Sequence, residues 1–538
     1  MREFLNACSI RHDSFMNHTR SILGPLGLST FVVVAICIPY LGTLPLWQEE
    51  PRRALIAETM LQTGDFVVPR YKEDIYLAKP PLYNWVVIGV TTLLGEMNEF
   101  SLRFGSVLCL VLLIFSMLSI HKNWLSKKGL YFLALALALS PEFISKATLA
   151  EIDMCFALLV NLSLWLWFAN DRQRVKGIRL WLVPAIIVGL AFLTKREPAF
   201  VFYYVGIGAY LLYKRRISEL FQPAHLICAS ITLIVVGVWL WQIWIAVGSD
   251  ALLLSSVDEV VHRSLVGSFQ TTLFHMLSYP FEVCLAIFPF CLLFGTLLHA
   301  KTRAEVIRSY NDIFVFAVIV VLSNFLVYWF IPASAVRYFL PMMPSMLVIC
   351  AILFEIAPGI APRWIQNISL GICFFSLLLA IALNLFLHKD ILGFGVSPPK
   401  VLPAPMPIIL AMGAVMAAVM SLWLNAKSQH LLMAACCAIF VYRIIFFDIL
   451  LPRKVEKFEQ ESDVVTFVEQ IYQTIPEEGL PVSADRSIPH ELWWYLEFGD
   501  ISLAPSNYVI TEKQPDATFL KLAEMNFEGR KIFLLKKD

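Results

Sequence analysis

The chain has 538 residues, 58% of them hydrophobic and 15% charged, with a mean hydropathy of +0.70. This excludes an ordinary soluble domain and marks a polytopic membrane protein. A formal net charge of +1 gives no basis for a nucleic-acid partner, and none is expected.

The N-terminal segment 1–24 is polar, carries Arg2, Arg11 and Arg20, and reads as cytoplasmic. The apolar run behind it lacks a nearby small-residue cleavage site, so it reads as a retained anchor. Fourteen apolar runs occur, at 25–46, 80–95, 103–120, 129–144, 153–169, 180–195, 198–213, 224–246, 279–300, 312–331, 339–357, 365–387, 405–425 and 431–451. Each approaches the ~20 residues that ~30 Å of hydrocarbon requires. Basic clusters follow at Lys122/Lys127/Lys128, Arg172/Arg174/Lys176/Arg179, Lys214/Arg215/Arg216 and Lys301/Arg303/Arg308. They share one side only if one run before residue 103 does not cross. The run 80–95 is the shortest and opens with Pro80-Pro81. It is expected to be re-entrant or surface-bound, which leaves about 13 spans; keeping it as a crossing worsens the charge bias.

This topology sets the basic clusters in the cytoplasm. The loops around 47–79, 145–153, 247–278, 332–338 and 388–404, and the tail, then lie outside. Residues 25–451 form the membrane domain and 452–538 a small α/β exoplasmic domain. In that tail SDVVTFVEQIYQTI has the period of an amphipathic helix, and NYVIT and RKIFLL read as strands. DATFLKLAEM, between those strands, reads as a second helix. The eleven cysteines lie almost entirely in apolar segments, with no CxxC or Cys/His cluster, so neither disulfides nor a thiolate metal site are expected.

The stretch Trp47 to Pro81 is long, charged and aromatic, more than a chain merely seated in lipid needs. Glu49 and Glu50 stand beside Arg52 and Arg53: carboxylates to accept a proton or orient a nucleophile, cations to hold a phosphate. As plain structure the same residues suit a helix start, with Pro51 in its first turn. Lys79 re-enters the apolar layer where it would meet a lipid phosphate, or simply snorkel. Glu151 and Asp153 sit two apart; on a helix they would not share a face, so one, Asp153, is expected to point inward. Lys195 lies in a very short charged connection whose positive charge defies the inside bias. Glu259, His262 and Arg263 occupy the next outer loop, where Glu259 and Arg263 can pair at i,i+4. Arg337-Tyr338 adds a cation and an aromatic at the end of another run. Arg443, inside the last run, reads as structural or as a partner for a lipid phosphate. Cations gathered on one outer face are what a lipid phosphate or pyrophosphate requires, and the carboxylates among them point to group transfer.

At these residues the chain resembles the bacterial membrane glycosyltransferases that use polyprenyl-phosphate sugars. It is similar to the lipid A aminoarabinose transferases and, more distantly, to the protein O-mannosyltransferases. WQEEPRRALIAETMLQTGDFVVPRYKEDIYLAKPP matches the family's W-Q-x-D-E-x-R-Y-A … G-D-W-x-V-P … Y-F-E-K-P at Trp47, Glu50, Arg52, Ala54, Met60, Gly64, Asp65, Pro69, Tyr76, Lys79 and Pro80. NEFSLRFGS, Asp153, Thr194-Lys195, Glu259 to Arg263, and Arg337-Tyr338 with Pro341 follow the family's later motifs in order. The chain departs from the pattern with Glu49 for aspartate, Ala78 for glutamate and Arg196 for glycine; Pro51 and Arg53 are also unusual.

The resemblance implies a GT-C fold in a bacterial inner membrane and a periplasmic site. The donor would be an undecaprenyl-phosphate sugar, 4-amino-4-deoxy-L-arabinose or a hexose, and transfer would invert the anomeric carbon. The acceptor would be lipid A, another envelope glycan or a protein hydroxyl. Lys79, Lys195, Arg337 and Tyr338 would hold the donor phosphate together with Arg52, Arg53 and Arg263. Glu49, Glu50 or Asp153 would serve the acceptor, and Glu259 and His262 would contact it or brace the loop. No cofactor is required, and a divalent cation in the first loop stays open. A lipid-sugar flippase is the rival reading. It would favour internal repeats and charges across the midplane, neither of which is seen in the sequence.

Overall fold

Within the described residues the apolar runs fold into helices whose ends fall at prolines, glycines and charged clusters. The computed structural model describes residues 22–248, 269–356 and 464–537, apart from a few loop positions within them. The runs at 365–387, 405–425 and 431–451, Arg443, and the Glu259–Arg263 motif lie outside the described residues.

Helix α1 (Ile22–Cys37) ends well before its apolar run does, because Pro39, Gly42 and Pro45 cannot sustain a helix. The carbonyls left over at Leu41, Leu44 and Pro45 accept hydrogen bonds of 2.8–2.9 Å from Arg103. Irregular backbone packed inside the protein is tolerable because a buried donor satisfies it. Next come α2 (Glu50–Thr63), a two-stranded ribbon β1 (Arg70–Tyr71) and β2 (Asp74–Ile75), and α3 (Leu82–Leu94). The 13 residues of α3 span about 20 Å at 1.5 Å per residue, short of the hydrocarbon thickness.

The bundle continues through α4 (Glu99–His121), α5 (Lys127–Leu139), α6 (Pro141–Ala147), α7 (Asp153–Arg172), α8 (Ile178–Lys195), α9 (Pro198–Tyr213) and α10 (Pro223–Val247). After the undescribed loop come α11 (Phe269–Ala286), α12 (Ala300–Trp329) and α13 (Met343–Ile356), the last entered through a 3₁₀ turn at Val336–Met342. Among the described residues six helices are long and apolar enough to cross a membrane, or up to eight if each bent pair counts as one span. One such pair, α5 with α6, bends by 55° where Pro141 interrupts it. The chain is therefore a multi-pass membrane protein.

Helix α7 is the axis of the bundle, packing on α4, α8 and the 3₁₀ turn. Its buried Asn161 donates to the Pro341 carbonyl at 2.7 Å and Trp165 Nε1 to Ser345 Oγ at 3.1 Å. These bonds fix the turn that carries Arg337 and Tyr338 against the helix that begins at Asp153.

The described tail is an α/β unit. Helix α14 (Val464–Thr474) precedes β3 (Val482–Ala484), α15 (His490–Tyr495), β4 (Ile501–Ser502), β5 (Tyr508–Thr511), β6 (Phe519–Phe527) and β7 (Arg530–Lys537). The sheet order is β4-β3-β5-β7-β6, with β3 parallel to β4 and β5, and β7 antiparallel to β5 and β6. Its core includes Ile471, Leu492, Ile510, Ile532 and Leu534, and Leu55 of α2 joins it. Where a helix was expected over DATFLKLAEM, its residues from Phe519 on form the strand β6 instead. Its Leu, Lys, Ala and Glu favour a helix intrinsically, but pairing with the apolar strand β7 along its whole length overrides that weak preference.

Candidate active site

Neighbouring residues on a helix point about 100° apart, and this separates the two glutamates at the start of α2. Glu50 turns into the protein and is fully buried. Its Oε1 accepts from Arg103 Nε at 2.8 Å and from the Ala150 amide at 2.8 Å, and its Oε2 from Arg103 Nη2 at 2.9 Å. Arg103 spends its remaining N–H donors on the carbonyls of Leu41, Leu44 and Pro45. Glu50 therefore joins α2, α4 and the 148–152 turn. Expected among the catalytic carboxylates, it is placed beside the cavity and not in its lining, with both oxygens hydrogen-bonded.

Glu49 faces the other way, into a cavity of about 260 Å³. Arg52 Nη1 binds both of its oxygens at 2.8–2.9 Å, and Arg53 lies 3.6 Å away. Arg53 is buried and donates to Tyr76 Oη at 3.1 Å. Its Nη1 has no hydrogen-bond partner among the described residues. The ribbon β1–β2 and the Tyr76 amide bond to the Pro69 carbonyl (2.7 Å) bring Tyr76, Ala78 and Lys79 to the same cavity.

The far wall comes from the starts and ends of spans. Asp153 opens α7, and Lys195 closes α8 and forms a buried ion pair with it. The Lys195 ammonium also stands 5.2 Å from the centre of the Tyr338 ring. Arg337, half-buried, packs on Tyr338 and forms no ion pair among the described residues. Glu151 lines the cavity as well as Asp153, contrary to expectation. The reason is local: α7 does not begin until Asp153, so Glu151 sits in the preceding turn and helical spacing does not apply. Lys146, which pattern reading overlooked, holds Glu151 at 2.7 Å. A cation on an expected outer loop was the available signal, the same one that singled out Lys79. Burial pushes the Glu151 carboxyl above the usual carboxylate range, and Lys146 offsets this only in part.

Eight of the expected residues thus meet in one place: Glu49, Arg52, Arg53, Lys79, Asp153, Lys195, Arg337 and Tyr338. Five cations line the cavity against three carboxylates. Arg263, Glu259 and His262 fall outside the described residues. No group of three or more His, Cys, Asp or Glu side chains gathers as a metal site among the described residues. Arg196 is left-handed at φ 64°, a conformation that costs a non-glycine residue about 1–3 kcal/mol. Its guanidinium reaches Glu197 at 3.0 Å and the Leu77 carbonyl at 3.4 Å, tying the end of α8 to the Lys79 loop.

Comparison with solved structures decides the architecture. The chain superposes on ArnT from Cupriavidus metallidurans bound to undecaprenyl phosphate with a TM-score of 0.70, over 95% of this chain and 98% of that one, at 16% identity. The chain has the ArnT fold. Within that fold the start of α2, the Lys79 segment and helix α15 of the tail meet. In sequence, the profile of the dolichyl-phosphate-mannose-protein mannosyltransferase family matches residues 78–241. An uncharacterized protein of Aquifex aeolicus is 26% identical over 69% of this chain and 72% of its own length. An undecaprenyl phosphate-alpha-4-amino-4-deoxy-L-arabinose arabinosyl transferase of Pseudomonas savastanoi pv. phaseolicola is 31% identical over 39% of this chain. That match spans only 40% of the transferase's own length. Sequence and fold together make the chain similar to GT-C glycosyltransferases.

Proposed function

We propose that the chain is an inverting glycosyltransferase of the bacterial inner membrane, with its cavity and tail facing the periplasm. It moves a sugar from undecaprenyl phosphate to an anionic or hydroxyl acceptor of the envelope, with lipid A the leading candidate. One observation carries this reading: cations from four separate stretches converge on one cavity and outnumber the carboxylates there. Cations that outnumber the carboxylates around a cavity call for an anionic ligand, and Arg53, whose buried Nη1 has no hydrogen-bond partner among the described residues, is one of them.

In this mechanism Lys79, Lys195 and Arg337 hold the donor phosphate and offset the negative charge that develops on it as the glycosidic C–O bond breaks. Asp153, locked to Lys195, orients that ammonium. Glu49 is the partly exposed carboxylate of the cavity and accepts the proton of a hydroxyl acceptor; a phosphate acceptor is already anionic and needs it less. Glu50 acts at one remove, by anchoring α2.

Purified protein incubated with radiolabelled undecaprenyl-phosphate sugars and an envelope lipid extract tests the proposal. Label is expected to move to an acceptor lipid; label that stays on its carrier while crossing the bilayer would instead identify a transporter. Glu49→Gln is expected to reduce transfer to a hydroxyl acceptor at least ~100-fold, and near-normal turnover would remove Glu49 from that role.

A further inference from the structure

We infer that His490, supplied by the tail domain, is a positioning residue for Arg52, so that the site is complete only with the tail docked. The choice of undecaprenyl phosphate as its ligand rests on the proposed function.

Helix α15 grips the first loop at both of its ends. At its start, His490 Nε2 receives Arg52 Nε at 3.2 Å and Arg52 Nη2 at 2.8 Å. At its end, Tyr495 Oη accepts the Leu46 amide at 2.9 Å and donates to Glu99 at 3.3 Å. Between these grips Leu55, three residues beyond Arg52 on α2, enters the tail's own apolar core. Docking of the tail and placement of Arg52 are thus one event.

The chemistry of the contact is informative. A guanidinium only donates hydrogen bonds, so the ring nitrogen facing it is a bare lone pair and the imidazole is neutral. Arg52 is then held on opposite sides by the Glu49 carboxylate and the His490 ring. Tyr71 packs edge-on against that ring at 5.2 Å and fixes its plane. A carboxylate at position 490 would hold Arg52 as firmly but would set a second negative charge beside the one Glu49 already supplies. A neutral acceptor fixes the geometry and adds no further negative charge to the field that a ligand in the cavity meets.

The test uses the full chain in nanodiscs and three variants, His490→Gln, His490→Phe and His490→Glu. The first readout is amide exchange over residues 50–63, which needs no substrate. His490→Phe should exchange faster there, while Gln and Glu, which both accept from Arg52, should match the parent. The second readout is the affinity for undecaprenyl phosphate. The Gln variant should bind within about 2-fold of the parent, because its amide oxygen replaces the ring nitrogen. The Phe and Glu variants should each bind about 10-fold more weakly, as expected for losing a charge-assisted bond or adding a second negative charge beside the cation. KM for the lipid-linked donor should rise with kcat nearly unchanged. Unchanged exchange in His490→Phe would overturn the positioning role, and parental affinity in His490→Glu would overturn the charge-sparing one. Failure of the unaltered chain to bind undecaprenyl phosphate would defeat the proposed substrate, while the exchange comparison would still decide what His490 does.

Discussion

Two charge clusters grow from adjacent residues of the same helix start, and they behave in opposite ways. Glu50 and Arg103 are fully matched: the donors of the guanidinium meet carboxylate or carbonyl oxygens, and the pair is sealed from solvent. One residue earlier, Glu49 opens a cluster in which cations exceed carboxylates and one buried donor stays unmatched. A balanced buried cluster holds a fold together; an unbalanced one beside a cavity holds a place for something else. Burial alone does not separate structure from function here, because Arg53, Glu151, Asp153 and Lys195 of the second cluster are buried like the residues of the first.

The comparison breaks most visibly at Arg103. Arg103→Ala leaves Glu50 without its cation and three carbonyls without donors, so it should cost at least ~3–5 kcal/mol and abolish the folded, monodisperse protein in size-exclusion profiles. Arg337→Ala should do the reverse. It should leave the thermal midpoint in place while lowering kcat/KM by about 10²–10³, the usual loss for one charge-stabilising donor. An unfolded Arg337→Ala, or an inactive but stable Arg103→Ala, would merge the two classes.

A finer contrast lies at the rim. Arg196→Ala and Arg196→Gly delete the same side-chain contacts, but only glycine takes φ 64° without strain. The alanine variant should be less stable than the glycine variant by about 1 kcal/mol, read as a lower thermal midpoint. The smallest effect concerns Glu151, whose pKa is raised by burial. Between the ordinary carboxylate range and that raised value, the folded chain keeps a proton that the unfolded chain has released. Stability should therefore fall as pH rises through that window, and Glu151→Gln should flatten the slope.

Much of the lining of the candidate site was legible in the sequence. Cations at the ends of apolar runs stand out because the membrane penalises them there, so Lys79, Lys195 and Arg337 could be picked without any contact information. The same logic reached Asp153. It could not divide Glu49 from Glu50, since two adjacent carboxylates carry one local signal and differ only in what the helix turns each of them toward. It discounted Glu151 because helical spacing was assumed one turn too early. In the tail it mistook β6 for a helix, where local preference lost to pairing with β7.

The sequence by itself determined that this chain is a membrane bundle with an α/β tail and charged residues at the ends of its spans. Hydropathy and charge bias are summed over many residues and survive ignorance of the fold. Only the tertiary structure decided which charges are spent on one another and which are left facing a cavity. It alone brought His490 to Arg52, because a contact across 438 residues is set by how the tail packs on α2 and leaves no trace in local pattern.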